Sequence, residues 1–244
     1  MNDHGPRVIV ALDYPDADAA LAFAQRVSPR DCRLKVGKEL FTATGPALVE
    51  SLVQQGFDVF LDLKFHDIPN TVAQAVESAV RSGAWMINVH ASGGTPMMRA
   101  AADAGRNAAA RLARPAPIVI AVTVLTSMDD ETLRQVGVSR PLDQQVIALA
   151  RMTQAAGLDG VVASPLETAA IRRACGAGLV IVTPGIRGAA AGTEQNDQSR
   201  TMGPGEAVRA GASYIVVGRP IIAATDPRQA AEAIAAEKIG RAHV

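Results

Sequence analysis

The residues best suited to chemistry lie in FLDLKFHDIPNT, 60–71. If the part before Pro69 is a strand, successive side chains alternate faces. Asp62 and Lys64 then share one face, and Leu61 and Leu63 share the other. The leucines suit a covering layer of helices, so the charged pair points into the interior that the strands enclose. Bare charges there are costly, which means that they are either paired or used. Asp67 follows Lys64 by three residues, in the loop, ahead of Pro69 and Asn70. These two stop the strand, with Asn70 expected as the cap of the next helix. Taken alone, Asp-x-Lys reads equally well as a structural ion pair. Its company tilts the reading. Leu34-Lys35-Val36-Gly37 ends a second strand with an inward lysine, and the first strand is expected to end in Asp13. Two lysines and three aspartates at neighbouring strand ends exceed what stability requires. Alternating Lys and Asp hold one another ionised and position an ammonium as a general acid.

A second group lies late in the chain. Thr183-Pro184-Gly185-Ile186-Arg187 and Gly218-Arg219-Pro220 each end a strand candidate. Glycine lets the backbone approach an anion closely, and arginine offers a forked contact, which together suit a phosphate. Out of context, an arginine after a turn glycine is an ordinary surface feature. His66, between Lys64 and Asp67, fits a site or open solvent equally. His90, two residues after Asn88, either walls a site or sits satisfied in the interior. Neither of these histidines and neither of the cysteines, Cys32 and Cys175, falls into a metal-ligand spacing. Asp58 precedes the third strand and belongs at the opposite end. Met97-Met98 fits helix packing.

Something must position these groups, and the chain supplies an alternation of short Val/Ile-rich runs with Ala-rich segments. Strands are expected at 8–13, 33–37, 59–64, 86–90, 118–125, 160–163, 179–183 and 214–218. Helices are expected at 17–27, 46–55, 71–82, 95–112, 143–156, 166–174, 204–210 and 227–236. Gly56, Gly83, Gly157 and Gly211 stand where helices close on a left-handed residue, and Asp226 caps a helix opening with Pro227. Eight strand–helix repeats indicate an α/β protein with a parallel sheet. An open doubly wound sheet also fits, but eight repeats in 244 residues favour a single-domain (β/α)8 TIM barrel, with its core over 8–236 and a tail at 237–244. The polar, Gly/Ala-rich stretch 184–203 is then a lid or binding loop.

Composition narrows the partners. Hydrophobic residues make up 48%, enough for a sizeable core, which excludes a disordered chain. Lys+Arg and Asp+Glu balance at 24 each and aromatics are 3%, so neither a phosphate-backbone binder nor a base-stacking platform is indicated. The polar opening MNDHGPR is no signal peptide, and no apolar run is long enough for a membrane span. Two distant cysteines suit a reducing compartment. The expected location is the cytoplasm, with no nucleic-acid or membrane partner.

The segments ALDYP, CRLKVGKELF, GFDVFLDLKFHDIPNTV, WMINVHASGG, AVTVLTSM, GLDGVVAS, VTPGIR and VVGRPI together resemble the bacterial orotidine 5′-phosphate decarboxylase family. The resemblance runs from about Val8 to about Ala236. Asp-x-Lys-x-x-Asp alone is shared with related sugar-phosphate enzymes; the DIPNT continuation and the preceding lysine strand favour the nucleotide decarboxylases. The resemblance implies a dimeric barrel that converts orotidine 5′-phosphate to uridine 5′-phosphate and CO2, in de novo pyrimidine synthesis, without metal or organic cofactor. It implies that Lys35, Asp62, Lys64 and Asp67 form the charged network, with Lys64 the proton donor to C6 and Asp67 reaching in from the other subunit. Asp13 and Lys35 would hold the ribose, Thr71 would join Asp67, and Thr126 and Ser127 would meet the pyrimidine. Arg187, Gln198, Gly218 and Arg219 would serve the phosphate. One departure stands out: after Arg187 many relatives carry proline and a Gly-Asp-Gln stretch, whereas here the chain runs GAAAGTEQNDQSR. Asp197-Gln198 preserves the Asp-Gln, so the loop contact is assigned to Gln198, with Gln195 as the rival. Three other readings stay open: a metal-assisted sugar-phosphate enzyme on the same barrel, a Schiff-base aldolase using Lys64, and a non-catalytic nucleotide-binding barrel.

Overall fold

A computed structural model describes residues 5–186 and 202–238. Eight parallel strands close on themselves in sequence order: β1 (Val8–Ala11), β2 (Arg33–Gly37), β3 (Val59–Phe65), β4 (Met86–His90), β5 (Ile118–Val122), β6 (Gly160–Val162), β7 (Val180–Thr183) and β8 (Tyr214–Val217). The closing pair is β1 with β8, Ile9 opposite Val216. The doubly wound alternative is thereby excluded: an open sheet leaves its outer strands unpaired, and here none is.

Among the described residues the α-helices are α1 (Ala17–Ala24), α2 (Lys38–Thr44), α3 (Pro46–Gln54), α4 (Pro69–Arg81), α5 (Gly94–Arg111), α6 (Asp130–Gln135), α7 (Leu142–Ala155), α8 (Thr168–Cys175), α9 (Pro204–Arg209), α10 (Arg219–Ile222) and α11 (Pro227–Lys238). Eight of these answer to the expected helices. The other three, α2, α6 and α10, have four to seven residues, too short for an apolar period to register in sequence. Gly56, Gly83, Gly157 and Gly211 do adopt positive φ, between 81° and 108°. Asp226 does cap α11, its carboxylate accepting the Gln229 N–H at 3.0 Å. Asn70 does not act as a cap: α4 begins one residue earlier, at Pro69, whose fixed φ suits a first helical position, and Ile68 stands at the cap.

Alternation along the strands builds two apolar layers. Leu34, Val36, Leu61 and Ile87 face the helices, and Leu63 packs against the same layer. Ile9, Phe60, Met86, Ile120, Val182 and Val216 fill the barrel itself. Each fully buried aliphatic or aromatic side chain contributes roughly 1.5–3 kcal/mol of transfer free energy, so the two layers supply most of the drive to close. The strand ends differ from expectation in one way that matters. The β1–β2 ladder stops at Ala11 opposite Lys35, so Asp13 lies two residues beyond the strand, in the loop. An apolar run in sequence does not show where pairing ceases. At the other end, α11 continues to Lys238, past the expected edge of the core.

The barrel floor is closed by Arg33, an inward residue of β2 only 2% exposed. Its guanidinium pairs with Asp58 at 2.9 Å, lies 4.2 Å over the Trp85 ring and 5.2 Å from the Tyr214 ring, and donates to the Pro6 carbonyl. Asp58 thus sits at the end opposite the candidate site, as its sequence position implies.

Candidate active site

Two residues along β2 from Arg33, Lys35 points the same way, into the mouth of the barrel. Its ammonium lies 3.3 Å from Asp62 Oδ2, and Lys64 Nζ lies 2.6 Å from Asp62 Oδ1. Lys35 and Asp62 are each 12% exposed and Lys64 24%, so the chain Lys35–Asp62–Lys64 is mostly withdrawn from water with the Lys64 end the most open. The three side chains meet, but a regular pleat is not what brings Asp62 and Lys64 together. Leu61 pairs with Ile87 and Phe65 with Val89, so the register shifts between them and Lys64 takes φ +55°. The strand bulges, and Lys64 is aimed by the bulge.

Asn88, an inward residue of β4 with no exposed surface, bridges that bulge. Its Oδ1 accepts the Lys64 backbone N–H at 2.8 Å and its Nδ2 donates to Asp62 Oδ1 at 2.7 Å. Burial by itself would push the Asp62 carboxyl up. Lys35 and Lys64, with the hydrogen bonds from Lys64 and Asn88, outweigh it and hold that carboxyl below its ordinary range. Asp62 is therefore an anion at neutral pH. His90 goes the other way for an imidazole: burial first, then the nearby charges of His66, Lys38 and Lys64, lower it to about 4. Its ring lies 5.5 Å from that of His66. His90 is thus a neutral, half-buried side chain at the end of β4.

The mouth opens into a cleft of about 200 Å³ lined by Asp13, Lys35, Lys38, Glu39, Asp62 and Lys64 among others. Asp13, though beyond its strand, is brought in, and a Cβ on Gly218 would meet its Oδ2 at 3.1 Å. A side chain at 218 would press on that carboxylate, which would have to shift by a few tenths of an ångström. Arg219 opens α10 and is exposed. Asp67 and Thr71 are exposed and lie outside the cleft lining; the Asp67 carboxylate accepts the N–H of Ile68 at 2.6 Å. Thr126, half-buried, and Ser127, exposed, stand in the loop after β5, also outside that lining. Arg187, Gln195 and Gln198 lie outside the described residues.

Two contributors escape the sequence reading. Lys38 lines the cleft from the start of α2, a helix too short to be anticipated. Asn88 carried a usable signal: it shares the inward parity of Met86 and His90, and a buried amide must find partners. Cys32 and Cys175 are both free and buried, and burial pushes the Cys32 thiol up to about 12, which leaves it inert. Among the described residues no three His, Cys, Asp or Glu side chains converge as a metal-binding group, and no helix is long and apolar enough to cross a membrane.

The arrangement can hold an ammonium next to a fixed carboxylate in a narrow cleft, ready to give up a proton to a bound molecule. Residues 6–234 match the model of the "Orotidine 5′-phosphate decarboxylase / HUMPS family". The chain belongs to this family. Its relatives include the orotidine 5′-phosphate decarboxylases of Moorella thermoacetica, 57% identical over 95% of this chain and 91% of the relative, and of Sodalis glossinidius, 55% identical over 96% and 90%. Among solved structures, the orotidine 5′-phosphate decarboxylase of Lactobacillus acidophilus matches with a TM-score of 0.85 at 39% identity, covering 95% of this chain and 98% of that one. For a decarboxylase-family barrel, the Lys35–Asp62–Lys64 chain sits where barrel chemistry is found, at the C-terminal strand ends.

Proposed function

We propose that the protein decarboxylates orotidine 5′-phosphate to uridine 5′-phosphate and CO2, within de novo pyrimidine synthesis. The observation that carries this reading is the Lys35–Asp62–Lys64 chain, found in a barrel 55–57% identical over almost its whole length to relatives of that name. Loss of CO2 breaks the bond from C6 to the carboxyl carbon and leaves the electron pair in the ring plane at C6, where the π system gives little relief. Fixed positive charge is then the main means of lowering that state. Lys64 supplies it, gives its proton to C6, and recovers a proton from solvent. Asp62, held in turn by Lys35, pairs with that ammonium and aims it.

In this reading Asp13 and Lys35 hold the ribose, and Thr126 and Ser127 meet the pyrimidine. Gly218 and Arg219, with Arg187 and Gln198, bind the phosphate. Those remote contacts contribute binding energy that is realised at the reacting carbon. The reading includes a cytoplasmic homodimer whose single domain has its core over 8–236, and no metal or organic cofactor. Asp67 and Thr71 act in the neighbouring subunit's site; in favour of this, both are exposed on their own protomer, and Ile68 between them is 66% exposed.

Orotidine 5′-phosphate mixed with the protein should lose its ultraviolet absorbance at the same rate with and without EDTA. Turnover abolished by EDTA and restored by Mg²⁺ would move the protein to metal-assisted sugar-phosphate chemistry; no turnover would end the reading. The shared site has its own test. Lys64→Ala and Asp67→Ala dimers should each be nearly inactive. After subunit exchange half the dimers are mixed, and one of their two sites carries no lesion, so about a quarter of wild-type activity should return. No recovery, with exchange verified separately, would assign Asp67 to its own subunit.

A further inference from the structure

We propose that Asn88 is a positioning residue of this site: its carboxamide locks the β3 bulge and the Asp62 carboxylate into one arrangement and thereby aims the Lys64 ammonium. What the aimed ammonium does rests on the decarboxylase reading.

The case begins with the ladder. Between the pairs Leu61–Ile87 and Phe65–Val89, three residues of β3 face the single residue Asn88 of β4. A bulge of that kind leaves backbone groups without ladder partners. It also forces Lys64 to φ +55°, a conformation that costs a non-glycine residue about 1–2 kcal/mol. Such a state persists only where the surroundings over-determine it. Asn88 does so from one side chain. Oδ1 takes the Lys64 N–H at 2.8 Å, and Nδ2 gives a proton to Asp62 Oδ1 at 2.7 Å.

The orientation of the amide is fixed by chemistry. A backbone N–H only donates and a carboxylate only accepts, so Oδ1 must face the first and Nδ2 the second. The same Asp62 Oδ1 also receives the Lys64 ammonium at 2.6 Å, while Oδ2 faces Lys35 at 3.3 Å. One atom of Asp62 therefore links both ends of Lys64, its own ammonium and, through Asn88, its backbone. With no exposed surface, Asn88 makes both bonds without competition from bulk solvent. Aspartate at 88 would accept from Lys64 but set a second carboxylate against Asp62. Leucine would keep the shape and lose both bonds.

The test uses the full-length protein and the variants Asn88→Leu and Asn88→Asp. Unfolding temperature, kcat, KM, the pH profile and a ¹³C carboxyl titration of Asp62, assigned with Asp62→Asn, are measured together. The charged or titratable groups around Asp62 are Lys35 from β2, Lys64 on its own strand, His90 from β4 with His66 beside it, and Asp13, Lys38 and Glu39 along the same cleft. Asn88→Leu should lower kcat about 100-fold with KM within about threefold, because the ammonium is misplaced rather than lost. Its Asp62 should titrate above the wild-type value, having lost a hydrogen bond to its ionised form. In Asn88→Asp the two carboxyls cannot both ionise easily and share a proton. That proton restores a donor at 88, so activity should recover as pH is lowered, opposite to a loss of folding. Should leucine compromise folding, the near-isosteric aspartate carries the test. Wild-type kcat, pH profile and Asp62 titration in a folded variant would overturn the proposal. Wild-type protein inert toward orotidine 5′-phosphate would instead remove the decarboxylase reading, and the Asp62 titration would still decide Asn88.

Discussion

Arg33 and Lys35 lie two residues apart on β2, both directed into the barrel, and each meets a carboxylate from the neighbouring strand region, Asp58 or Asp62. Their settings differ in what closes over them. Arg33 is packed against Trp85 and Tyr214 and bonded to Pro6, so that cation is finished: its donors and its flat face are committed. Lys35 shares its carboxylate with Lys64, and the group opens on a cleft that also holds Asp13 and Lys38. The same pattern of charge is thus closed off as a plug at the floor and left open to a cleft at the mouth.

The largest effect should come from removing the open cation. Lys64→Ala should cut kcat/KM on orotidine 5′-phosphate by at least about 10⁴-fold, since both a general acid and the charge opposite the developing anion are lost. Folding should change by less than about 1 kcal/mol, because Asp62 retains Lys35 and Asn88. Steady-state rates beside urea titrations check both halves. A variant that unfolded readily yet turned over normally would erase the distinction between the two ends.

The floor should answer in the opposite sense. Arg33→Met keeps length and apolar contact while losing the charge-assisted bonds to Asp58 and Pro6 and the stacking on Trp85. Removing a buried charge offsets part of that loss, and Asp58, 48% exposed, remains solvated. A cost of about 2 kcal/mol is expected, with kcat within about twofold at a temperature where the variant is folded. Calorimetry and rate measurements on one preparation decide it. A large fall in kcat without destabilisation would couple the floor to the chemistry.

These contrasts also explain what could be read in the sequence. Strand parity alone assigned Lys35 and Asp62 to the interior, and the Asp-x-Lys spacing joined them to Lys64, because a period of two carries through most of β2 and β3. It could not reveal the bulge. Nothing in LDLKF announces that Lys64 leaves the pleat, since the shift depends on how β4 pairs across from it. Asn88 escapes for the same reason: its two partners depend on the neighbouring strand's irregularity. Asp13 falls outside its expected strand because Leu12 prolongs the apolar run beyond the last ladder pair. Asp67 and Thr71 stand exposed and outside the cleft lining, and nothing in one chain's pattern shows what they meet.

The smallest effect separates the two ends by pH. At the mouth, His90 is lowered to about 4, against an unfolded value near 6.5. Between those values the unfolded chain binds the proton and the folded one does not, so stability rises with pH. The contribution is complete above about pH 6.5 and is lost progressively as pH falls toward 4. Asp62, also depressed, acts in the same direction at lower pH: its contribution is present above the unfolded carboxyl value and disappears as pH falls through the folded one. For the half-buried His90, screened by solvent, a loss on the order of 1–2 kcal/mol between pH 6.5 and 4.5 is expected. Urea unfolding of wild type and His90→Asn at pH 7, 5.5 and 4.5 measures it. The variant should show a flatter dependence across that window, whereas Arg33→Met should show the wild-type slope displaced downward by a constant. An unchanged slope in His90→Asn would mean that the acid sensitivity of the fold arises elsewhere than at the mouth.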